Sequence, residues 1–202
     1  MSGLFRAPSR YNLTYILIAL NVVAYAYTSF LSGNPIITSD EVLRIYGQNN
    51  TMVMQGWFFQ LFTAMFVHVN SVHLIGNMFF LLIFGLRAEE LFHVEEYVMI
   101  YLLTGLAGNL LTLLLGPWMI SAGASGAIFG LFGAVATYVR RAVGQSIVTA
   151  LAYSFFLLII STGVGVNILA HLGGLVAGLL IGYLLGSKRQ QATSYQVRYT
   201  YP

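Results

Sequence analysis

Cysteine is absent from the 202 residues, so the chain can form neither disulfides nor thiolate metal sites. Charge is nearly as scarce: Asp, Glu, Lys and Arg make up 7% of the chain while 58% is hydrophobic. That balance excludes an ordinary solvated surface and implies a chain that resides in lipid. The six acids, Asp40, Glu41, Glu89, Glu90, Glu95 and Glu96, all precede residue 97. No basic patch interleaved with aromatics is present, which excludes nucleic acid as a partner. No metal-ligand cluster is legible either, and no cofactor is implied.

What the chain has in abundance is apolar runs. Those near Leu13–Phe30, Tyr97–Leu115, Ile120–Val139 and Ile168–Leu185 are long enough to cross about 30 Å of hydrocarbon, and shorter ones lie near Val72–Leu86 and Ile147–Ile160. The pattern predicts an all-α polytopic membrane protein with six spans. The first run follows Arg6 and Arg10 and carries "AYA" near its end, but it exceeds a signal-peptide core and reads as a retained anchor. With the N-terminus inside, six crossings put Arg6, Arg10, Arg87, Arg140, Arg141, Lys188, Arg189 and Arg198 on the cytoplasmic side and only Arg44 outside. Both termini are therefore expected in the cytoplasm, and the bilayer in question is the plasma membrane.

The resulting outline is a cytoplasmic tail over residues 1–12, a six-helix domain over 13–186 and a cytoplasmic tail over 187–202, read as a polar segment without fixed structure. The long connection between the first two spans is polar in "SGNPIITSDEVLRIYGQNN" and apolar in "MVMQGWFFQLFTAMFV". Its second half is expected to lie in the outer leaflet, with Trp57, Phe58 and Phe59 at headgroup depth.

Polar residues within the spans can share a site only at a common depth. If the fourth span enters from outside at Ile120, Ser125 lies roughly 7 Å below that entry, and His171 lies roughly 6–9 Å into the sixth. His73 and Asn77 are spaced i, i+4 on one face at the start of the second span. Packing alone would explain a small serine or a helix-bridging asparagine, whereas an intramembrane histidine marks function by default. Four such residues at one outer-leaflet level fit one chemistry. A serine hydroxyl needs an adjacent base, and histidine titrates near the working pH. The Asn77 amide, the His73 ring N–H and the Ser125 backbone N–H could then stabilise a developing oxyanion. With no acid beyond residue 96 and Glu89, Glu90, Glu95 and Glu96 on the cytoplasmic side, the reading is a Ser125–His171 dyad.

Glycines supply the approach. Gly126 and Gly130 form a G-x-x-x-G in the fourth span, and Gly174, Gly178 and Gly182 repeat that spacing in the sixth, which lets two helices meet backbone to backbone. Gly186 is read as lying beyond the stripe, near the inner end.

Together these residues resemble a known family. "GASGAIFG", from Gly123 to Gly130, is similar to the G-x-S-x nucleophile motif of rhomboid intramembrane serine proteases. "HLIGN" resembles their second-helix H-x-x-x-N, and "AHLGGLVAG" their sixth-helix histidine with spaced glycines. The resemblance covers roughly residues 13–186. It implies a rhomboid-like six-helix bundle with a membrane-associated loop between helices 1 and 2. It further implies Ser125 as nucleophile, His171 as general base, and His73 and Asn77 at the oxyanion hole. The implied substrates are single-span membrane proteins cut near the outer interface. "FGLRAEELF" resembles the family's turn after the second helix, in which Glu89 is a structural acid. Phe59 and Gln60 stand where many members carry Trp-Arg, and Phe129 replaces a tyrosine of some members, keeping a ring under His171 without its phenol.

Two other classes compete. An inactive rhomboid-like protein that binds membrane clients would have no need of both Ser125 and His171, and a small transporter would place its polar layer at the midplane. The dyad itself is testable on the acids. Glu90→Gln, Glu95→Gln and Glu96→Gln are each expected to keep labelling of Ser125 by a fluorophosphonate, and a folded variant that lost it would demand a third catalytic member.

Overall fold

The computed structural model describes residues 12–143, 145–160 and 165–200. Arg6 and Arg10 lie outside the described residues, as do the side chains from 190 onward, Arg198 among them. The chain forms six long helices: α1 (Leu13–Ser32), α5 (Ser71–Leu91), α6 (Val94–Thr112), α7 (Ser125–Ala142), α8 (Val148–Ile160) and α9 (Ile168–Thr200). Four stretches are long and apolar enough to cross a membrane: Leu13–Ser32, Ser71–Leu91, Val94–Leu115 and Ile168–Arg189. The other two long helices fall short for different reasons. α8 has 13 residues, about 20 Å of helix. α7 is rich in glycine and alanine and ends in Arg140 and Arg141, and its buried residues, from Gly126 to Tyr138, meet protein on most sides. A helix surrounded by helices has little lipid to face and needs few large apolar side chains.

The helix α7 begins later than its apolar run suggests. Ile120–Ser121 (β2) pairs antiparallel with Gln48–Asn49 (β1), Gln48 opposite Ser121 and Asn49 opposite Ile120. The chain then turns through Gly123, at φ 136°, and the helix starts at Ser125 itself. Ser125 is thus the first residue of α7 and does not lie a turn and a half below its entry. The strands add a small β element to an otherwise helical fold.

Residues 33–70 fold into three short helices, α2 (Asp40–Tyr46), α3 (Asn50–Met54) and α4 (Gln60–Thr63), flanking β1. Gln60 is fully buried: its Nε2 donates to the carbonyls of Arg44 (2.8 Å) and Ile45 (3.0 Å), and its Oε1 accepts the Asn49 N–H at 2.9 Å. A neutral amide here satisfies three backbone groups at once, a task for which a side chain with no acceptor is unsuited.

α7 and α9 run parallel in the closest packing of the molecule. A Cβ on Gly174, Gly178 or Gly182 would overlap the carbonyl oxygen of Gly126, Gly130 or Ala134 respectively. The stripe extends one repeat further than expected, since a Cβ on Gly186 would come 3.0 Å from Arg141 Cβ and 3.1 Å from the Tyr138 carbonyl. Gly186 therefore belongs to the contact. α6 runs antiparallel against both, Gly130 seating the Thr104 hydroxyl and Gly108 the Ala170 carbonyl.

The ends opposite Ser125 are held by charge. Glu89, nearly buried, accepts the backbone N–H of Leu13 (2.6 Å) and Thr14 (3.2 Å), so a carboxylate from α5 caps α1, whose own Asn12 side chain makes no capping bond. Arg189 donates to Glu96 (2.9 Å), the Leu91 carbonyl (2.9 Å) and the Tyr138 hydroxyl, joining α5, α6, α7 and α9. Beyond it α9 continues to Thr200 and is not the structureless tail expected. No proline or glycine interrupts residues 187–200, and Lys, Arg, Gln and Ala favour helix.

Gly178→Val is expected to push α9 off α7 and lose most activity and Ser125 labelling, whereas Leu180→Val, on the exposed face, should lose neither. Thermal unfolding recorded beside labelling separates displacement from collapse. A folded Gly178→Val that labels at the wild-type rate would show that this contact does not set the site.

Candidate active site

Three helices begin at one end of the bundle, and the candidate residues lie in their first turns. His73 and Asn77 are the third and seventh residues of α5, Ser125 the first of α7 and His171 the fourth of α9. All four line one cavity of about 670 Å³. Ser121, Ala122, Gly123 and Phe129 also line it, together with Gly76, Phe80 and Phe84 of α5 and Leu157 of α8.

His171 is the most constrained of the four. Its ring stacks on Phe129 with centroids 4.5 Å apart and planes 20° from parallel. The carbonyl of Ala170, one residue earlier, sits so close to Gly108 and Gly126 that a Cβ on either would meet it. The histidine backbone is thus clamped between α6 and α7 while its side chain lies on a ring of α7. The chain places Gly108 in this clamp without any sequence pattern that announces it.

The helix ends differ in a way that bears on charge. Asn70 caps α5 by accepting the His73 N–H at 2.8 Å, and Asn167 caps α9 by accepting the Ala170 N–H at 3.0 Å. α7 begins at Ala124 and Ser125 with no side-chain cap. The first N–H groups of a helix have no intrahelical acceptor and carry its positive dipole end, so α7 offers backbone donors where Ser125 stands.

His73 packs over Gly123, where a Cβ would lie 2.7 Å from its Cε1 and 3.0 Å from its Nε2. Its Nδ1 is buried without a hydrogen-bond partner. The ring proton is better placed on Nε2 than left without an acceptor on Nδ1. Asn77 donates one amide N–H to the His73 carbonyl at 2.9 Å, leaving the second to other acceptors.

Sequence reasoning passed over His68, five residues before His73 in "HVNSVH". It is fully buried, its ring meets that of His73 edge-on at 5.3 Å, and its Nδ1 donates to the Phe66 carbonyl at 3.2 Å. Burial, and to a lesser degree His73, pushes its pKa down to about 3, so the ring is neutral at ordinary pH. Among the described residues no three His, Asp or Glu side chains converge as a metal site. The signal for His68 was its spacing, which places it just before the helix that carries His73.

Several membrane-length helices in one bundle define a multi-pass membrane protein. The family model described as Rhomboid domain matches residues 55–188, most of the chain, and the chain belongs to the rhomboid family. It is 30% identical over 187 residues to "Rhomboid protease GluP" of Bacillus subtilis (strain 168), covering 86% of this chain and 34% of that protein. Over 189 residues it is 28% identical to "Putative rhomboid protease YdcA" of the same organism, covering 90% of this chain and 92% of that one. "RHOMBOID-like protein 6, mitochondrial" of Arabidopsis thaliana is 37% identical over 132 residues, 62% of this chain and 43% of that protein. The chain thus spans less than half the length of two of these three relatives.

Gly123→Ala puts a methyl group into the His73 ring at a backbone angle that side chains rarely adopt. It is expected to slow turnover by at least about tenfold, since a 1 Å misplacement can cost more than that. Unchanged turnover in a folded Gly123→Ala would mean that His73 does not act on the reaction.

Proposed function

We propose that the chain is an intramembrane serine endopeptidase that cleaves transmembrane segments of single-span membrane proteins. Ser125 attacks the scissile carbonyl carbon while its hydroxyl proton passes to His171. The tetrahedral oxyanion is held by the Ser125 backbone N–H, the Asn77 amide and the His73 ring N–H. His171 returns the proton to the departing amine, and water, deprotonated by the same imidazole, hydrolyses the acyl-enzyme. Among the described residues no carboxylate lines the cavity, and Phe129 and the clamped backbone around Ala170 contribute to orienting the base.

The observation that carries this reading is the convergence of Ser125, His171, His73 and Asn77 on one cavity at an uncapped helix N-terminus. Kinship to proteins named as rhomboid proteases supports the reaction class. The side of the cavity between α5 and α8 suits lateral entry of a substrate helix, which must unwind there to expose a carbonyl.

Orientation follows from the same frame. Arg87, Arg140, Arg141, Lys188 and Arg189 lie toward the end remote from the site, and Arg44 lies on α2. With the positive-inside bias this supports our reading of a site near the outer leaflet of the plasma membrane, six spans and both termini cytoplasmic. Exposed Trp57, Phe58, Phe59 and Phe62 suit immersion of the loop after α1 in that leaflet.

The test is reaction of the detergent-purified chain with a fluorophosphonate, together with cleavage of a single-span substrate in vesicles. Wild type should label at Ser125 and cleave, whereas Ser125→Ala and His171→Ala should retain their fold and fall below about one thousandth of wild-type turnover. Asn77→Ala should lose roughly ten- to a thousandfold. A folded wild type that neither labels nor cleaves would leave the client-binding reading in its place.

A further inference from the structure

Small residues allow α7 and α9 to approach, and the polar ties between them, Thr137 Oγ1 to the Leu179 carbonyl and Arg141 Nε to Ser187 Oγ, each at 2.9 Å, lie away from the site. The inner end is held by Arg189. The end that carries the site requires its own stop, because a slip of one residue is about 1.5 Å along the axis.

The polar side chain at that end is Asn167, immediately before α9 and four residues before His171. All its ordinary hydrogen-bonding directions on the amide nitrogen are used. Nδ2 donates to Thr112 Oγ1 at 2.8 Å and to Ser121 Oγ at 2.8 Å, while Oδ1 accepts the Ala170 N–H at 3.0 Å. Each partner is itself fixed. Thr112 Oγ1 donates to the Gly108 carbonyl at 2.9 Å, which leaves its lone pairs facing Asn167. Ser121 is on β2, paired to Gln48, four residues before Ser125. Turning the amide over would set its nitrogen against the Ala170 N–H and its oxygen against Thr112 Oγ1, whose proton goes to the Gly108 carbonyl, so the observed orientation is favoured.

We propose that Asn167 is a positioning residue, fixing the axial register of the histidine helix against the strand that delivers Ser125. The inference rests on Ser125 and His171 being the reacting pair. Its distinct content is that the two bonds from Nδ2, and not the helix cap from Oδ1, set the reaction rate. The lever is short: Ser121 and Ser125 are four residues apart, and so are Asn167 and His171, so the tether joins the two chain segments just before their functional side chains.

Asn167→Ser separates the two roles, because a serine can still cap α9 but is too short to reach Thr112 and Ser121, and it adds no charge beside His171. Asn167→Ala removes both. In the full chain, Asn167→Ser is expected to slow fluorophosphonate labelling of Ser125 by about ten- to a hundredfold. Its kcat for a single-span substrate should fall equally, with KM and the thermal midpoint close to wild type. Asn167→Ala should be as slow and also less stable. A folded Asn167→Ser that labels at the wild-type rate would reduce Asn167 to a helix cap and overturn the inference while leaving the dyad intact. Absence of labelling in wild type would overturn the dyad and this inference with it. Should Asn167→Ser fail to fold, Ser121→Ala cuts one bond alone: slowed labelling supports the tether and a wild-type rate refutes it.

Discussion

The backbone contact between α7 and α9 is the constraint on which the rest depends. Two helices that touch through Gly126, Gly130, Gly174 and Gly178 have no side chains between them, so their axes come closer than ordinary packing allows. Ser125 and His171 stand at the head of that seam. α6 completes the wedge by setting Gly108 and Thr104 against the same two helices, and it does so antiparallel, so its C-terminal end reaches the site. In lipid there is no hydrophobic drive to hold helices together, and close dispersion contact of this kind is the principal source of cohesion. Substitutions that merely add a methyl group in the seam therefore act on geometry and stability together.

Around this wedge the molecule divides its polar work by depth. At the end remote from Ser125, Glu96 and Arg189 pair across α6 and α9, and Glu89 caps α1 from α5. At the other end, neutral amides do the joining: Gln48 donates to Asn50 and to the Asn109 carbonyl, Asn109 donates to the Leu61 carbonyl, and Gln60 holds the turn after α2. A neutral amide can both donate and accept, so these residues satisfy buried backbone groups without burying a charge.

Much of the molecule was legible because lipid imposes strong rules. The apolar runs anticipate the long helices, and the glycine spacing anticipates the partner of α9. His73, Asn77, Ser125 and His171 could be grouped by depth along three helices entering from one side. Most of the misreadings have a cause in contacts distant along the chain. Ile120 and Ser121 look like helix until Gln48 and Asn49 pair with them, so the start of α7 was set five residues too early. Gly186 looks terminal until Arg141 and Tyr138 face it. The residues after it look like a loose polar tail, yet they contain no helix breaker, and α9 continues to Thr200. Asn167 carries no pattern of its own, for its partners are Thr112 and Ser121, which only the fold assembles.

Whether Ser125 reacts within a cavity whose donors stabilise an oxyanion is read most directly from a crystal structure of the protein after reaction with a small fluorophosphonate. The expected adduct has phosphorus bonded to Ser125 Oγ and its phosphoryl oxygen within about 3.1 Å of the Ser125 backbone N–H and of the Asn77 amide or His73 Nε2. An adduct on another residue, or a phosphoryl oxygen turned away from all three donors, would contradict this expectation.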